Sequence, residues 1–166
     1  NGKIWVDSEL HKGSTFYFTI PYNPISISHN FMEKSEPVKY VFNKNQKILV
    51  AEDDDVSYEY IYNLLIKEGL SVVRAANGEE AVKKAKEDAD IALILMDIKM
   101  PVMNGIDATK QIRMFNKEIP IVAQTAYAML DDRRNVMDAG CSDYLSKPIS
   151  KALLISKLNT FLNKGE

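Results

Sequence analysis

Apolar and polar positions change rhythm along this chain. Near the start, Gly2-Lys3-Ile4-Trp5-Val6-Asp7-Ser8-Glu9 and Gly13-Ser14-Thr15-Phe16-Tyr17-Phe18-Thr19-Ile20-Pro21 alternate around a polar turn, the period-two pattern of a β-hairpin. From Gln46 onward, short apolar runs alternate with stretches of helical spacing, which predicts βαβ units and a parallel sheet. The first run, Lys47 to Ala51, leads into a helix that places Val56, Tyr60, Ile61, Leu64 and Leu65 near one face and ends at Gly69. Val72-Val73 begins a second strand, and Asn77-Gly78 turns into a helix carrying Ala81, Val82 and Ala85. The third strand is the nearly continuous apolar run ending at Asp97, as expected of a strand buried on both faces. A helix over Gly105 to Phe115 comes next, Pro120 leads a fourth strand into Thr125, and a helix from Leu130 to Ala139 ends at Gly140. Asp143 to Ser146 forms the fifth strand, and a last helix near Lys151 to Leu162 is expected to bury Leu154, Leu158, Phe161 and Leu162.

Between these regions, Tyr22 to Asn45 contains Pro24, Pro37 and several Ser, Asn and Lys residues and reads as a linker. Its Ile25, Ile27, Phe31, Tyr40, Val41 and Phe42 are too apolar for a purely solvated tether, so part of it is expected to pack on a domain. The expected division is residues 1–21, a hairpin; 22–45, a linker; and 46–164, an α/β domain of three layers with a doubly wound five-stranded parallel sheet and five helices.

Composition narrows the function classes. The 166 residues are 46% hydrophobic and 27% charged, ordinary for a chain able to build a real core. A net charge of -2 with scattered lysines supplies no electrostatic reason for nucleic-acid binding. Cys141 is the one cysteine, which excludes an intramolecular disulfide, and its place beside Gly140 suggests a small buried residue. No apolar stretch approaches the roughly 18 residues of a membrane helix, and the start does not read as a signal peptide. The chain begins at Asn1, as expected of a piece of a longer protein; a cytoplasmic location without membrane contact is expected for this piece, with a parent that can itself be membrane-anchored.

The chemistry lies where apolar runs end. Glu52-Asp53, Asp97, Thr125 and Lys147 each come after such a run, so parallel strands bring all of them to one carboxyl edge, where open α/β sheets bind ligands. Clustered carboxylates raise one another's pKa unless a cation joins them. The expected cation is Mg²⁺, with Mn²⁺ as an alternative, because a hard ion takes one or two carboxylates and completes its octahedron with water and phosphate oxygens. With a metal and a lysine present, a carboxylate can attack phosphorus to form an aspartyl phosphate.

The segments Ile48-Leu49-Val50-Ala51-Glu52-Asp53-Asp54, Leu95 to Gly105 with its Asp-x-x-Met-Pro-x-Met-x-Gly, Thr125-Ala126-Tyr127-Ala128 and Asp143-Tyr144-Leu145-Ser146-Lys147-Pro148 resemble, in order, the signature blocks of response-regulator receiver (CheY-like) domains. The resemblance covers about the last 120 residues, one domain's worth. It implies a flavodoxin-like sheet of order 2-1-3-4-5, with Asp97 as phosphoacceptor rather than a loop cap. It further implies Asp53 as direct metal ligand, Glu52 through water, and Asp97 and the Lys99 backbone carbonyl as further ligands. Lys147 then pairs with the carboxylate and the phosphoryl oxygens, at a peptide bond to Pro148 that is cis in the family, and Thr125 donates its hydroxyl to a phosphoryl oxygen. Asp54 and Asp55 are expected to start the first helix. Tyr144 has the position of the family's switch aromatic, the alternative being a static half-buried ring. Lys99 and Tyr127, two residues after Asp97 and Thr125, are placed to hang over the phosphoryl group and obstruct water, or equally to point to solvent.

The opening hairpin resembles the last two strands of the ATP-binding domain of sensor histidine kinases, where Gly-Ser-Thr-Phe-x-Phe-Thr-Ile-Pro is typical; an unrelated short hairpin is the alternative. A kinase tail leading into a receiver is the layout of a hybrid histidine kinase. The nucleotide-binding helices and a helix with a phosphoacceptor histidine are missing, and His11 and His29 fall in polar loop stretches, so the expected activity is confined to the chain's own aspartyl phosphorylation and dephosphorylation. The expected function is transfer of a phosphoryl group from a phosphohistidine to Asp97, and then a surface switch at the fourth helix, fifth strand and fifth helix of the receiver, or onward relay. Expected partners are a histidine-phosphotransfer or kinase dimerisation helix and a second copy bound through that same face, where Met129 and Leu130 would lie. The alternative is a phosphorylation-independent docking or dimerisation module of the same fold. An exposed Trp5 and Phe16 are an aggregation liability, so the hairpin is expected to pack or to pair with another copy.

Overall fold

The structure, a computed structural model, describes residues 2–21, 40–43, 46–126 and 130–163, with the side chains of 130–132 excepted. The central part of the proposed linker, including Pro24, Ile25, Ile27, His29, Phe31 and Pro37, lies outside the described residues, as do Tyr127, Ala128, Met129 and the Leu130 side chain. The chain divides into two compact units, 1–38 and 39–166.

In the first unit, β1 (Lys3–Glu9) pairs antiparallel with β2 (Gly13–Thr19). Alternation sorts the side chains: Ile4 opposes Phe18 and Val6 opposes Phe16 on one face, while Trp5 opposes Tyr17 on the other with ring centroids 5.4 Å apart. Within this unit Trp5 is 47% exposed and Phe16 70%. Two strands pair their backbones but supply no second layer to cover either face.

The second unit contains β3 (Lys47–Ala51), α1 (Asp55–Lys67), β4 (Ser71–Ala75), α2 (Gly78–Glu87), β5 (Ile91–Asp97), α3 (Gly105–Phe115), β6 (Ile121–Thr125), α4 (Leu130–Asp138), β7 (Asp143–Ser146) and α5 (Lys151–Leu162). The strands are parallel in the order β4-β3-β5-β6-β7, the doubly wound arrangement, with β5 at the centre. Strand alternation divides the core. Leu49, Ala51, Ile94, Met96, Ile121 and Ala123 join Ala81, Ala108, Ile112 and Val136 in one apolar cluster. Ile48, Val50, Leu93, Leu95, Val122 and Leu145 join Ile61, Leu65, Leu154 and Leu158 in the other. A sheet covered on both faces by helices can be apolar at every position, which explains the run at β5.

Caps begin the helices where polar residues were expected. Asp54 accepts from Ser57 N–H at 2.7 Å to start α1, Asn77 accepts from Glu80 N–H at 2.9 Å to start α2, and Asn104 accepts from Asp107 N–H at 2.9 Å to start α3. Cys141 is buried with its Sγ 3.7 Å from Thr109 Oγ1, and burial pushes its thiol up, which suits a packing residue.

Some expectations need correction. Val56 is 77% and Tyr60 45% exposed, so the buried stripe of α1 is Ile61, Leu64 and Leu65 alone. Phe161 and Leu162 are half-buried, and Ile155 takes an interior place beside Leu154 and Leu158. The expectation that part of the linker packs on a domain is met at Phe42, which is buried in the same cluster as α1 and α5.

Candidate functional site

Parallel strands deliver their next residues to one edge, and that edge carries the polar set. Glu52 comes directly after β3, Asp97 ends β5, Thr125 ends β6 and Lys147 comes directly after β7. Neighbouring strand ends are tied together there: Ile98 N–H donates to Gln124 O at 3.1 Å and Lys147 N–H to Thr125 O at 2.7 Å. Glu52 N–H donates to Ala75 O at 3.0 Å, so the acidic turn is fixed to β4 as well.

Lys147 Nζ lies 2.7 Å from Asp97 Oδ2 and 2.8 Å from Glu52 Oε2, joining residues far apart in sequence. The Lys147–Pro148 peptide is cis. Asp97 and Thr125 are buried, and Glu52 is 1% exposed. Burial pushes the Glu52 carboxyl above its ordinary value, and the charge of Asp97 adds to the rise against the opposing hydrogen bond from Lys147. Burial alone would lower the Lys147 ammonium, but its hydrogen bonds to Asp97 and Glu52 outweigh that and hold it above its ordinary value.

Carboxylate oxygens of Glu52, Asp53 and Asp97 lie within 4.8 Å of one another, Asp53 being exposed. Glu52 Oε1 is buried with no hydrogen-bond partner. An orphaned carboxylate oxygen among three convergent hard donors fits a divalent cation of the Mg²⁺ type, which would satisfy it and offset the mutual repulsion. The neighbouring acids are otherwise engaged: Asp54 caps α1, and Asp55 forms a 2.6 Å ion pair with Arg74, whose guanidinium also lies 4.4 Å from the centre of the Tyr58 ring.

The structure thus brings together Glu52, Asp53, Asp97 and Lys147, with Thr125 at the same edge. Lys99 is exposed beyond β5, its N–H 3.2 Å from Asp97 Oδ1; Tyr127 lies outside the described residues. Tyr144 is half-buried on β7, packed against the cluster of β5 and β6, with the Arg133 guanidinium of α4 5.4 Å from its ring centre. Sequence patterns did not reveal the close approaches between elements. A Cβ on Gly105 would come 2.1 Å from Asp97 O, so only glycine lets α3 start against the end of β5. Gln124, directly before Thr125, is fully buried with neither Oε1 nor Nε2 hydrogen-bonded, a polar residue in an apolar run that sequence could have singled out.

A family model described as response regulator receiver domain matches residues 48–159. Across 161 residues and 96% of its length the chain is 35% identical to the autoinducer 2 sensor kinase/phosphatase LuxQ of Vibrio vulnificus, yet it spans 19% of that protein. Of hybrid signal transduction histidine kinases of Dictyostelium discoideum that it also matches, it spans 3% to 7%. Among solved structures, the receiver domain of sensor histidine kinase PA1611 from Pseudomonas aeruginosa, with magnesium in its active-site cleft, is 37% identical at a TM-score of 0.68, over 72% of this chain and 99% of that one. A receiver domain of Ssk1 in complex with the histidine phosphotransfer protein Ypd1 of Saccharomyces cerevisiae is 34% identical at a TM-score of 0.70, over 75% and 92%.

Proposed function

Because this chain belongs to the response regulator receiver family, we propose that Asp97 accepts a phosphoryl group from a phosphohistidine of a partner helix. The observation that carries this reading is the Lys147 ammonium 2.7 Å from Asp97 Oδ2 beside two further carboxylates that suit a divalent cation. An Asp97 oxygen forms the new O–P bond as the N–P bond of the phosphohistidine breaks; the electron pair stays on the imidazole nitrogen, which takes up a proton. Lys147 tracks the charge from carboxylate to phosphoryl oxygens, and the Thr125 hydroxyl donates to one of them. Glu52, Asp53, Asp97 and the Lys99 carbonyl would hold Mg²⁺ or Mn²⁺, which when bound neutralises charge gathering on the phosphoryl oxygens.

Partner docking is supported by apolar side chains next to Lys147. Val56, Tyr60, Ile61, Pro148 and Ile149 line a cleft of about 410 Å³, with Tyr60 Oη donating to Ile149 O at 3.1 Å. A histidine-bearing helix laid there would present its ring toward Asp97; that the similar Ssk1 receiver forms a complex with the histidine phosphotransfer protein Ypd1 supports a partner of this kind. Phosphorylation then draws Thr125 inward and lets Tyr144 leave Arg133, altering the face of α4, β7 and α5, through which a second copy binds. Lys99 and Tyr127 shield the phosphoryl group, so Tyr127→Ala should shorten its half-life.

The hairpin is, in this reading, the end of a kinase ATP-binding domain, supported by its Gly-Ser-Thr-Phe strand and by a LuxQ match that runs through it; the parent is then a cytoplasm-facing hybrid kinase. No described helix is long and apolar enough to cross a membrane. The test is intact-mass spectrometry after incubation with acetyl phosphate and Mg²⁺. A Mg²⁺-dependent gain of one phosphoryl group that disappears in Asp97→Asn is expected; no adduct, with beryllofluoride also failing to bind, would leave a docking module that works without phosphorylation.

A further inference from the structure

Residues 98–104 leave β5 and return to α3 as a closed loop, Gly105 N–H donating to Ile98 O at 3.0 Å. Within it, Met103 N–H donates to Pro101 O at 2.7 Å across Val102, whose φ is +66°. A three-residue turn with positive φ at its centre is the rare and strained form of γ-turn, and a β-branched residue there is an outlier. Such a conformation persists where its surroundings over-determine it. Val102 is 76% exposed, so its own side chain does not hold the turn.

The hold comes from the neighbouring helix. Gly78 N–H, at the amino end of α2, donates to Met103 O at 3.0 Å. A Cβ on Gly78 would stand 2.5 Å from that oxygen, closer than real side chains come to backbone, and 3.0 Å from its carbonyl carbon. Met100 and Met103 fasten the same loop to the apolar cluster beneath α2 and α3.

We propose that the amino end of α2 sets the shape of the phosphoacceptor loop, with Gly78 as the positioning residue that holds the strained turn at Val102 and, through the closed loop, the backbone at Lys99. The consequence for metal binding rests on the reading of Asp97 given above; the mechanical coupling of Gly78 to Val102 does not.

The test is a double-variant cycle in the full chain: Gly78→Ala, Val102→Gly and the pair, each monitored by thermal midpoint and by Mg²⁺ titration of backbone amide shifts. Alanine is the better helix former, so an effect local to α2 would raise the midpoint. The expected result is a lowered midpoint for Gly78→Ala and Mg²⁺ affinity weaker by about tenfold, the lower end of what losing an outer support costs a metal site. Val102→Gly, which lets the turn relax around the added methyl, should recover part of both losses in the double variant. A raised midpoint with unchanged Mg²⁺ affinity, or strictly additive effects, would overturn the proposal. Should Gly78→Ala fail to fold, Val102→Gly is compared as a rescuer with Gln124→Met, which removes an unpaired buried amide outside the loop: rescue by Val102→Gly alone supports the coupling, and equal rescue by both, or by neither, opposes it. If the parent chain binds no Mg²⁺, the metal reading fails while non-additive midpoints still establish the coupling.

Discussion

The hairpin and the parallel sheet are both built from strands rich in large apolar residues, mainly aromatic in the hairpin and aliphatic in the sheet, and end in opposite states. Phe16 and Phe18 are each 70% exposed, whereas Leu95, at the centre of the sheet, is fully buried. Both regions consist of strands paired along their backbones, so strand pairing as such does not separate them. The difference is coverage: each face of the sheet receives helices, and the two apolar clusters so formed remove whole side chains from water, at about 1.5–3 kcal/mol for each large one. A strand sequence therefore specifies pairing, while its stability is conferred by the helices that the rest of the chain lays over it.

Paired truncations give the largest test of that contrast. Leu95→Ala should destabilise the α/β unit by about 2–5 kcal/mol in urea unfolding, whereas Phe16→Ala should leave that transition where it is. Equal shifts would mean that the hairpin belongs to the same cooperative unit. A smaller effect is expected at Gln124, whose buried amide has no partner. Replacing it with Met should raise stability by about 1–3 kcal/mol, since no hydrogen bond is lost and an unpaired polar group is removed. A lowered midpoint would show that the amide is satisfied in solution and that the covered sheet is less purely apolar than its clusters suggest.

The smallest effect concerns pH. Ser57, through its N–H and hydroxyl, holds the Asp54 carboxyl below its ordinary value of 3.8. An acid with a lowered folded pKa stabilises the fold above its unfolded pKa, and the contribution fades as pH falls through the folded value. Stability should thus decline in acid more steeply for the parent than for Asp54→Ala, as measured by thermal midpoints from pH 5 down. Parallel pH curves for the two would remove the cap from the account.

Much of this was legible from periodicity. Lys47–Ala51 and Gly105–Phe115 fall where the apolar pattern places them, because period-two and period-3.6 rhythms reflect which faces are covered. The site was legible for a related reason: Glu52, Asp97, Thr125 and Lys147 interrupt or succeed apolar runs at strand ends, and parallel topology gathers strand ends. The features that escaped depend on distance between elements. Val56 and Tyr60 share a helical stripe with Ile61, yet they are 77% and 45% exposed along the cleft with Pro148 and Ile149, whereas Ile61 is buried in the core cluster. Sequence marks the apolar residues 40–42 as candidates to pack, but nothing local tells the buried Phe42 from Val41, which is 77% exposed. The Asn77-Gly78 pair reads as a turn in sequence, and its contact with Met103 exists only once α2 and the β5 loop are side by side.

Gly105 would mislead anyone mapping this protein by random mutagenesis. It has no side chain to bind, donate or accept, yet any Cβ at that position would meet the carbonyl of Asp97 at 2.1 Å. With Asp97 as the proposed phosphoacceptor, a screen scored on phosphorylation would rank Gly105 with Asp97 itself. Scoring abundance alongside signal would part them: variants at Asp97 should remain plentiful but silent, and variants at Gly105 should be both silent and scarce.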